Sequence, residues 1–190
     1  LSPRLGVYGD SLAQTPNIDQ FSKESTHFTN AFSTSGVCAP SRSAIITGMY
    51  QTAIGTHHMR TTSPSAGPPV PYNTVPPHYV KTLTEYLRIE NYFTVNNGKT
   101  DYQFEVPITA WDVNNDQAHW RNNKRAKGQP FFAVFNFTST HESGTWPEED
   151  EKLKTDPLEV KVPPYYPDTP KVRRAIARHY DNIANVDEKV

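Results

Sequence analysis

The feature that most constrains the fold is an apolar run in the second half of the chain. Phe131–Phe137 reads F-F-A-V-F-N-F and follows Pro130. A short run without polar alternation is typical of a strand that a parallel sheet buries on both faces. A second strand is predicted over Tyr92–Asn96, and helical patterns alternate with these strands. The sequence therefore predicts an α/β fold with helices against a mainly parallel sheet.

Capping residues and apolar spacing predict the remaining elements. Thr15 should cap a helix that opens at Pro16. Further predicted elements are a strand over His27–Phe32 and helices over His78–Glu90, Asp116–Lys127 and Lys171–Val190. Irregular loops are expected over Thr61–Pro77 and Ser143–Pro170. The aromatic residues of the second loop could cover a core edge or form a pocket wall.

Composition limits the classes of partner. The 190 residues carry a net charge of −1, so no strong field for nucleic acid or an anionic membrane is expected. A single cysteine forbids an intramolecular disulfide. No apolar run approaches the roughly 20 residues that span a bilayer, so we expect no membrane span. The sequence begins in a loop-like stretch without an opening strand and ends inside a helical pattern without a cap, so we expect a piece of a longer domain.

The only cysteine lies in the segment Ser35–Tyr50, which reads S-G-V-C-A-P-S-R-S-A-I-I-T-G-M-Y. Pro40 suits the first turn of a helix, so Cys38 should lie at a helix N-terminus. Free backbone N–H groups favour an anion there, and Arg42 presents a forked set of donors suited to sulfate or phosphate. The segment predicts an anion site beside a possible nucleophile. The alternative is a buried, inert cysteine.

These residues resemble a known family. Cys38-Ala39-Pro40-Ser41-Arg42 is similar to the C-x-P-S-R signature of the type I sulfatases, in which the cysteine is converted to formylglycine. Other phrases follow in family order: Thr15-Pro16-Asn17-Ile18-Asp19, Phe28-Thr29-Asn30-Ala31-Phe32, Thr47-Gly48, Gly98-Lys99, Pro130-Phe131-Phe132 and Thr140-His141. The resemblance implies an alkaline-phosphatase-like sulfatase fold. It also implies that residues 1–190 are a partial N-terminal catalytic domain, truncated at both ends.

The resemblance assigns roles to particular residues. It implies that the catalytic residues are Cys38, Arg42, Lys99 and His141, with Lys99 and His141 also touching the sulfate. It places His58 and Arg60 in a substrate-contacting loop. Read without the family, Lys99 is a solvated turn residue, His141 is structural, and His58 belongs to a solvated loop.

One position departs from the family pattern. Many sulfatases have a histidine two positions after the lysine, whereas this chain has Asp101. A carboxylate accepts a hydrogen bond where an imidazolium donates one, so the hydrogen-bond pattern there must differ.

The family also implies cofactors and partners. Cys38 as formylglycine would be a calcium ligand, with the other ligands outside this chain, so the isolated fragment should be inactive. The implied reaction is hydrolysis of a sulfate ester, since the hydrated aldehyde attacks sulfur and later expels sulfate. Loop phrases around His58 and Tyr165 resemble bacterial heparan-sulfatase-like proteins, which implies a sulfated carbohydrate substrate. A formylglycine-generating or sulfatase-maturing enzyme would be a partner, and a periplasmic, extracellular or lysosomal location is expected.

Two other functions stay open at the level of sequence. A phosphonate or phosphate diester hydrolase of the same superfamily could use the same nucleophile. A non-catalytic homologue that binds sulfated glycans is favoured by Asp101 and by the lack of metal ligands in this chain.

Overall fold

The structure is a computed structural model that describes residues 3–63, 70–146 and 152–190. Its helices are α1 (Pro16–Ser22), α2 (Cys38–Thr47), α3 (Leu83–Ile89) and α4 (Pro170–Asp187), and its strands are β1 (Phe93–Asn97), β2 (Val113–Asn114) and β3 (Phe131–Phe135). The chain divides into two compact units, one formed by Asn30–Asn136 and one by Leu1–Thr29 with Phe137–Val190. Parts of the two predicted loops, residues 64–69 and 147–151, lie outside the described residues.

The sheet belongs to the Asn30–Asn136 unit and is parallel, as predicted. Its strand order is β2-β1-β3, and Val95 is in register with Val113 on one side and Ala133 on the other. Phe93 and Val95 of the central strand form a buried cluster with Ala118. β3 was predicted to be buried on both faces, and this is wrong: its two end residues are exposed and the three between them are only half-buried. Phe131 is 41% exposed and Phe135 is 37% exposed.

Flanking residues set the ends of two helices in this unit. Val37 is extended before Cys38, and α2 ends at Gly48, whose φ of 67° is a left-handed conformation that glycine adopts without strain. Thr82 forms a capping box with Glu85, so α3 begins at Leu83. The predicted start at His78 is therefore five residues too early.

Two predicted elements of the sequence are absent. Residues 116–127 form successive turns rather than a helix, because the side chains of Asn115 and Asn122 accept hydrogen bonds from the backbone N–H groups two residues on. The predicted strand His27–Phe32 has no ladder. Phe28 is 68% exposed and Phe32 is 92% exposed, so no sheet face buries them. The two-residue strand β2 was missed, since it is too short to show a period.

The other unit has a small core to which α4 contributes. Ala13, Val160, Ala177 and Tyr180 form its buried cluster, and α4 matches the predicted helix Lys171–Val190 within three residues. Thr15 was predicted to cap α1, but its hydroxyl instead accepts a hydrogen bond from the Gly6 backbone and donates one to Asp19.

Asp187 binds the first turn of α1 instead. Its two carboxylate oxygens accept from the backbone N–H groups of Asn17 and Ile18, at 3.0 and 2.7 Å. Within the residues that are described, no helix is both long and apolar enough to cross a bilayer.

Candidate active site

Cys38 lies in the first turn of α2, as the sequence predicted. The residue is half-buried, and its thiol has two polar partners. The Sγ atom donates a hydrogen bond to Oδ2 of Asp101 at 3.4 Å, and Nη2 of Arg60 lies 4.0 Å from the same sulfur. The alternative of a buried cysteine is therefore wrong.

Lys99 and Asp101 follow the carboxyl end of β1. The Lys99 ammonium lies 3.2 Å from the same carboxylate oxygen that accepts from Cys38. One carboxylate thus links the thiol to a cation. Open α/β sheets bind ligands beyond the carboxyl ends of their strands, and this pair occupies such a position.

Arg42 uses two of its donors on the backbone that follows β1. Nε donates to the carbonyl of Thr100 at 2.7 Å, and Nη2 donates to the carbonyl of Lys99 at 2.6 Å. The guanidinium also lies over the Tyr102 ring, 5.7 Å from its centroid. Burial raises the pKa of Tyr102 despite the opposing charge of Arg42, so the phenol stays protonated at neutral pH. Arg42 therefore fixes the segment that carries Lys99.

A loop near residue 60 supplies the second cation. Gln103 holds this loop, since its Oε1 accepts from the Arg60 backbone N–H at 2.8 Å and its Nε2 donates to the His58 carbonyl. The His58 side chain is exposed, and its Nδ1 hydrogen-bonds the Tyr72 hydroxyl at 2.8 Å. The sequence did not single out Gln103. A lone glutamine has no motif, so no signal marked it.

Three residues of this region have left-handed backbone conformations. The φ angles are 45° for Arg60, 51° for Asp101 and 63° for Gln103. Each such non-glycine residue costs about 1 kcal/mol, and the surrounding contacts must hold it in place.

A cavity of about 590 Å³ opens beside these residues. Arg60 and Asp101 line it together with Thr61, Asn73 and Gln103. The named lining is hydroxyl, amide and charged groups, which suits a ligand rich in hydroxyls more than an apolar one.

His141 belongs to the other unit. Its Nδ1 hydrogen-bonds the hydroxyl of Ser143 at 2.9 Å, and its carbonyl accepts from Gly144 at 2.8 Å. The His141 side chain is exposed, and the residue directly precedes a short 3-10 turn over Glu142–Thr145. Its predicted contact with the sulfate stays a prediction.

The described residues do not by themselves form a calcium site. Within residues 3–63, 70–146 and 152–190, no group of three or more His, Cys, Asp or Glu side chains is placed to hold a metal. Beside Cys38, Asp101 is the carboxylate that contacts the thiol, and it is already paired with Lys99. Calcium takes six to eight oxygen ligands, so the residues around Cys38 do not fit it alone.

Comparison with known proteins agrees with this geometry. The family model described as Sulfatase matches residues 2–190. An ulvan-active sulfatase of Formosa agariphila is 41% identical over 96% of this chain, which covers 36% of that protein. The iduronate 2-sulfatase of Mus musculus is 29% identical over 68% of this chain, which covers 23% of that protein. The chain belongs to the sulfatase family.

One solved structure supports the fold. The fold is similar to that in the crystal structure of Ps i-CgsB, with a TM-score of 0.53 and 17% sequence identity. The match covers 97% of this chain and 51% of that chain. The predicted alkaline-phosphatase-like α/β fold is confirmed. The chain spans about a third of the length of the ulvan-active sulfatase, 36%.

Proposed function

We propose that this chain carries the nucleophile of a sulfuric ester hydrolase, in the form of a formylglycine made from Cys38. The observation that carries the proposal is the position of the thiol. It lies at a helix N-terminus, 4.0 Å from the Arg60 guanidinium and 3.4 Å from the Asp101 carboxylate. A group at that position is accessible, hydrogen-bonded and next to positive charge, as an attack on an anionic ester requires.

The side chains around Cys38 fit the modified residue. The Cys38 sulfur marks the position that the formylglycine oxygen would take. When present, the hydrated aldehyde of formylglycine supplies a hydroxyl that can attack the sulfur of the sulfate ester. Asp101 accepts a hydrogen bond from that position and orients it. Arg60 and Lys99 supply cations that stabilise negative charge on the sulfuryl oxygens.

Arg42 contributes to the same reaction through the backbone. By holding the carbonyls of Lys99 and Thr100, it keeps the lysine at the mouth of the site. His141 is proposed to touch the sulfate and assist the leaving group, as the family resemblance implies. Calcium is proposed on the same ground, but no step is derived through it, because the described residues do not form its site.

The proposed substrate is a sulfated polysaccharide or its fragments. The support is the 41% identity to an ulvan-active sulfatase and the polar lining of the neighbouring cavity. His58 is proposed to contact the carbohydrate, since its side chain is exposed and it lies two residues before Arg60. A formylglycine-generating or sulfatase-maturing enzyme is a necessary partner, and no nucleic-acid partner is proposed.

A second candidate is a homologue that binds sulfated glycans without hydrolysing them. The ion pair between Lys99 and Asp101 favours it, because the carboxylate offsets part of the positive charge that a sulfuryl transition state needs.

Peptide mass spectrometry of the full-length, naturally matured protein tests the proposal. We expect the Cys38 peptide to carry the aldehyde mass, and we expect turnover of an aryl sulfate to exceed turnover of an aryl phosphonate. Cys38→Ala should abolish the hydrolysis. Unmodified Cys38 in an active preparation contradicts the mechanism, faster phosphonate turnover favours the diesterase, and sulfated-glycan binding without turnover favours the binder.

A further inference from the structure

We propose that Gln103 is a positioning residue that holds the Arg60 guanidinium against the nucleophile. The inference rests on the proposed function and adds a residue to it. The Gln103 amide bonds the backbone of residues 58 and 60, and it acts on Cys38 through that loop.

The Gln103 amide bonds the backbone of the loop in the way that a neighbouring β-strand would. Oε1 of Gln103 accepts from the Arg60 N–H at 2.8 Å, while Nε2 donates to the carbonyl of His58. One primary amide thus satisfies a donor and an acceptor two residues apart on the same loop. An amide is suited to this, because it presents both kinds of group on one rigid plane.

Backbone strain explains why such a clamp is needed. Arg60 and Gln103 both have positive φ angles, of 45° and 63°. Left-handed conformations of non-glycine residues persist only where the surroundings hold them, and they concentrate at functional sites. Release of the clamp lets Arg60 return to an ordinary conformation. A change of φ at Arg60 moves its side chain, and Nη2 then leaves its position 4.0 Å from Sγ.

A matched control exists in the same unit. Gln129 also uses both groups of its amide on the backbone, since its Oε1 accepts from the Ala126 N–H of its own turn at 3.1 Å and its Nε2 donates to the Asn91 carbonyl at 3.0 Å. Asn91 also has a positive φ, of 61°. This clamp lies before β1 and β3, at the opposite ends of the strands from Lys99 and Asp101. Replacement of either glutamine therefore removes one amide that bonds two backbone groups, but only one replacement should affect Arg60.

The test is a double-mutant cycle in the full-length, matured protein, with an aryl sulfate as substrate. Arg60→Ala should lower kcat/KM about 100-fold, in line with the loss of one preorganised charge donor. Gln103→Met keeps the side-chain length and should lower kcat/KM about tenfold, with the same split between kcat and KM as Arg60→Ala. The double variant should be no slower than Arg60→Ala alone, because Gln103 has nothing left to position. Gln129→Met should leave the kinetics unchanged.

Two results overturn the inference. One is a double variant whose loss equals the product of the two single losses, since Gln103 then acts independently of Arg60. The other is a Gln103→Met protein whose kinetics match those of Gln129→Met. If Gln103→Met does not fold, as judged by thermal unfolding, the cycle is repeated with Gln103→Glu, which keeps the acceptor for Arg60 and loses the donor to His58.

The inference and the proposed function fail in different ways. A wild-type protein that hydrolyses no sulfate ester contradicts the proposed function, and the same cycle is then measured as binding of inorganic sulfate by calorimetry. A non-additive loss of sulfate affinity still supports the positioning role. Absence of both turnover and sulfate binding overturns the two together.

Discussion

The thiol of Cys38 and the carboxylate of Asp101 are hydrogen-bonded across 3.4 Å, although 63 residues separate them in the chain. The same carboxylate oxygen pairs with Lys99 at 3.2 Å. Asp101 therefore does two things at once, since it orients the proposed nucleophile and partly neutralises a cation.

Asp101→Asn should separate these two effects. Asparagine tolerates the left-handed backbone at this position, so the fold should be kept. We expect kcat to fall about tenfold, because a neutral amide is the weaker acceptor, and KM to fall or stay equal because Lys99 is no longer paired. Steady-state kinetics with an aryl sulfate measure the split. A rise in KM with unchanged kcat would show that Asp101 acts only in substrate binding.

Arg42→Lys should lower kcat/KM at least about tenfold, since an ammonium cannot replace the fork that holds two carbonyls. Arg88→Lys is the matched control. Arg88 likewise uses two guanidinium nitrogens, but both contact the carboxylate of Asp112, at 3.1 and 2.9 Å. The control should lose stability without a matching kinetic loss. Equal kinetic effects in the two variants would contradict a special role for Arg42.

Glu85 should make the stability of the fold depend on pH. Partial burial alone raises the pKa of Glu85, but hydrogen bonds from Thr109 and Thr82 and the charge of Lys81 outweigh it and hold the pKa below its ordinary value. A carboxylate with a lowered pKa stabilises the fold above the unfolded pKa of about 4.3, and this contribution disappears as pH falls through the folded pKa.

Chemical denaturation of the wild type and Glu85→Gln measures this contribution. The difference in the free energy of unfolding should be about 1 kcal/mol at neutral pH and should shrink below about pH 4. Glu90→Gln, at an exposed position after the same helix, should show little difference at either pH. If the difference in the free energy of unfolding between wild type and Glu85→Gln instead grows as the pH falls, the lowered pKa of Glu85 is contradicted.

Asp187→Ala should destabilise the unit that contains α1. The variant leaves the N–H groups of Asn17 and Ile18 without their acceptors, and a lost partner of this kind costs about 1–3 kcal/mol. Denaturant midpoints measure the effect. Asp168→Ala is the comparison, since Asp168 is an exposed partner of Arg173 and its loss should change the midpoint little. Equal shifts would show that the contact to α1 does not stabilise the unit.

The sequence predicted those parts of the fold that have a local period or cap. The strand Phe93–Asn97, the helix that begins at Cys38 and the long C-terminal helix all carry such signals. The helix expected over Asp116–Lys127 failed because asparagine side chains compete for backbone N–H groups, which apolar spacing does not show.

The site was predictable only in part. The motif and the family resemblance led to Cys38, Lys99 and Arg60, which the structure brings together. The linking role of Asp101 and the clamp of Gln103 could not be predicted, because each depends on a long-range contact and an unusual φ angle. Such contacts have no periodic signature in the sequence.

The contact between Asp187 and the start of α1 joins residues about 170 positions apart. Because translation starts at the N-terminus, the N–H groups of Asn17 and Ile18 have no acceptor until Asp187 has been synthesised. The segment Asn30–Asn136 is continuous and has no such delay. Folding during translation can therefore begin in the segment Asn30–Asn136 before the first turn of α1 gains its acceptor.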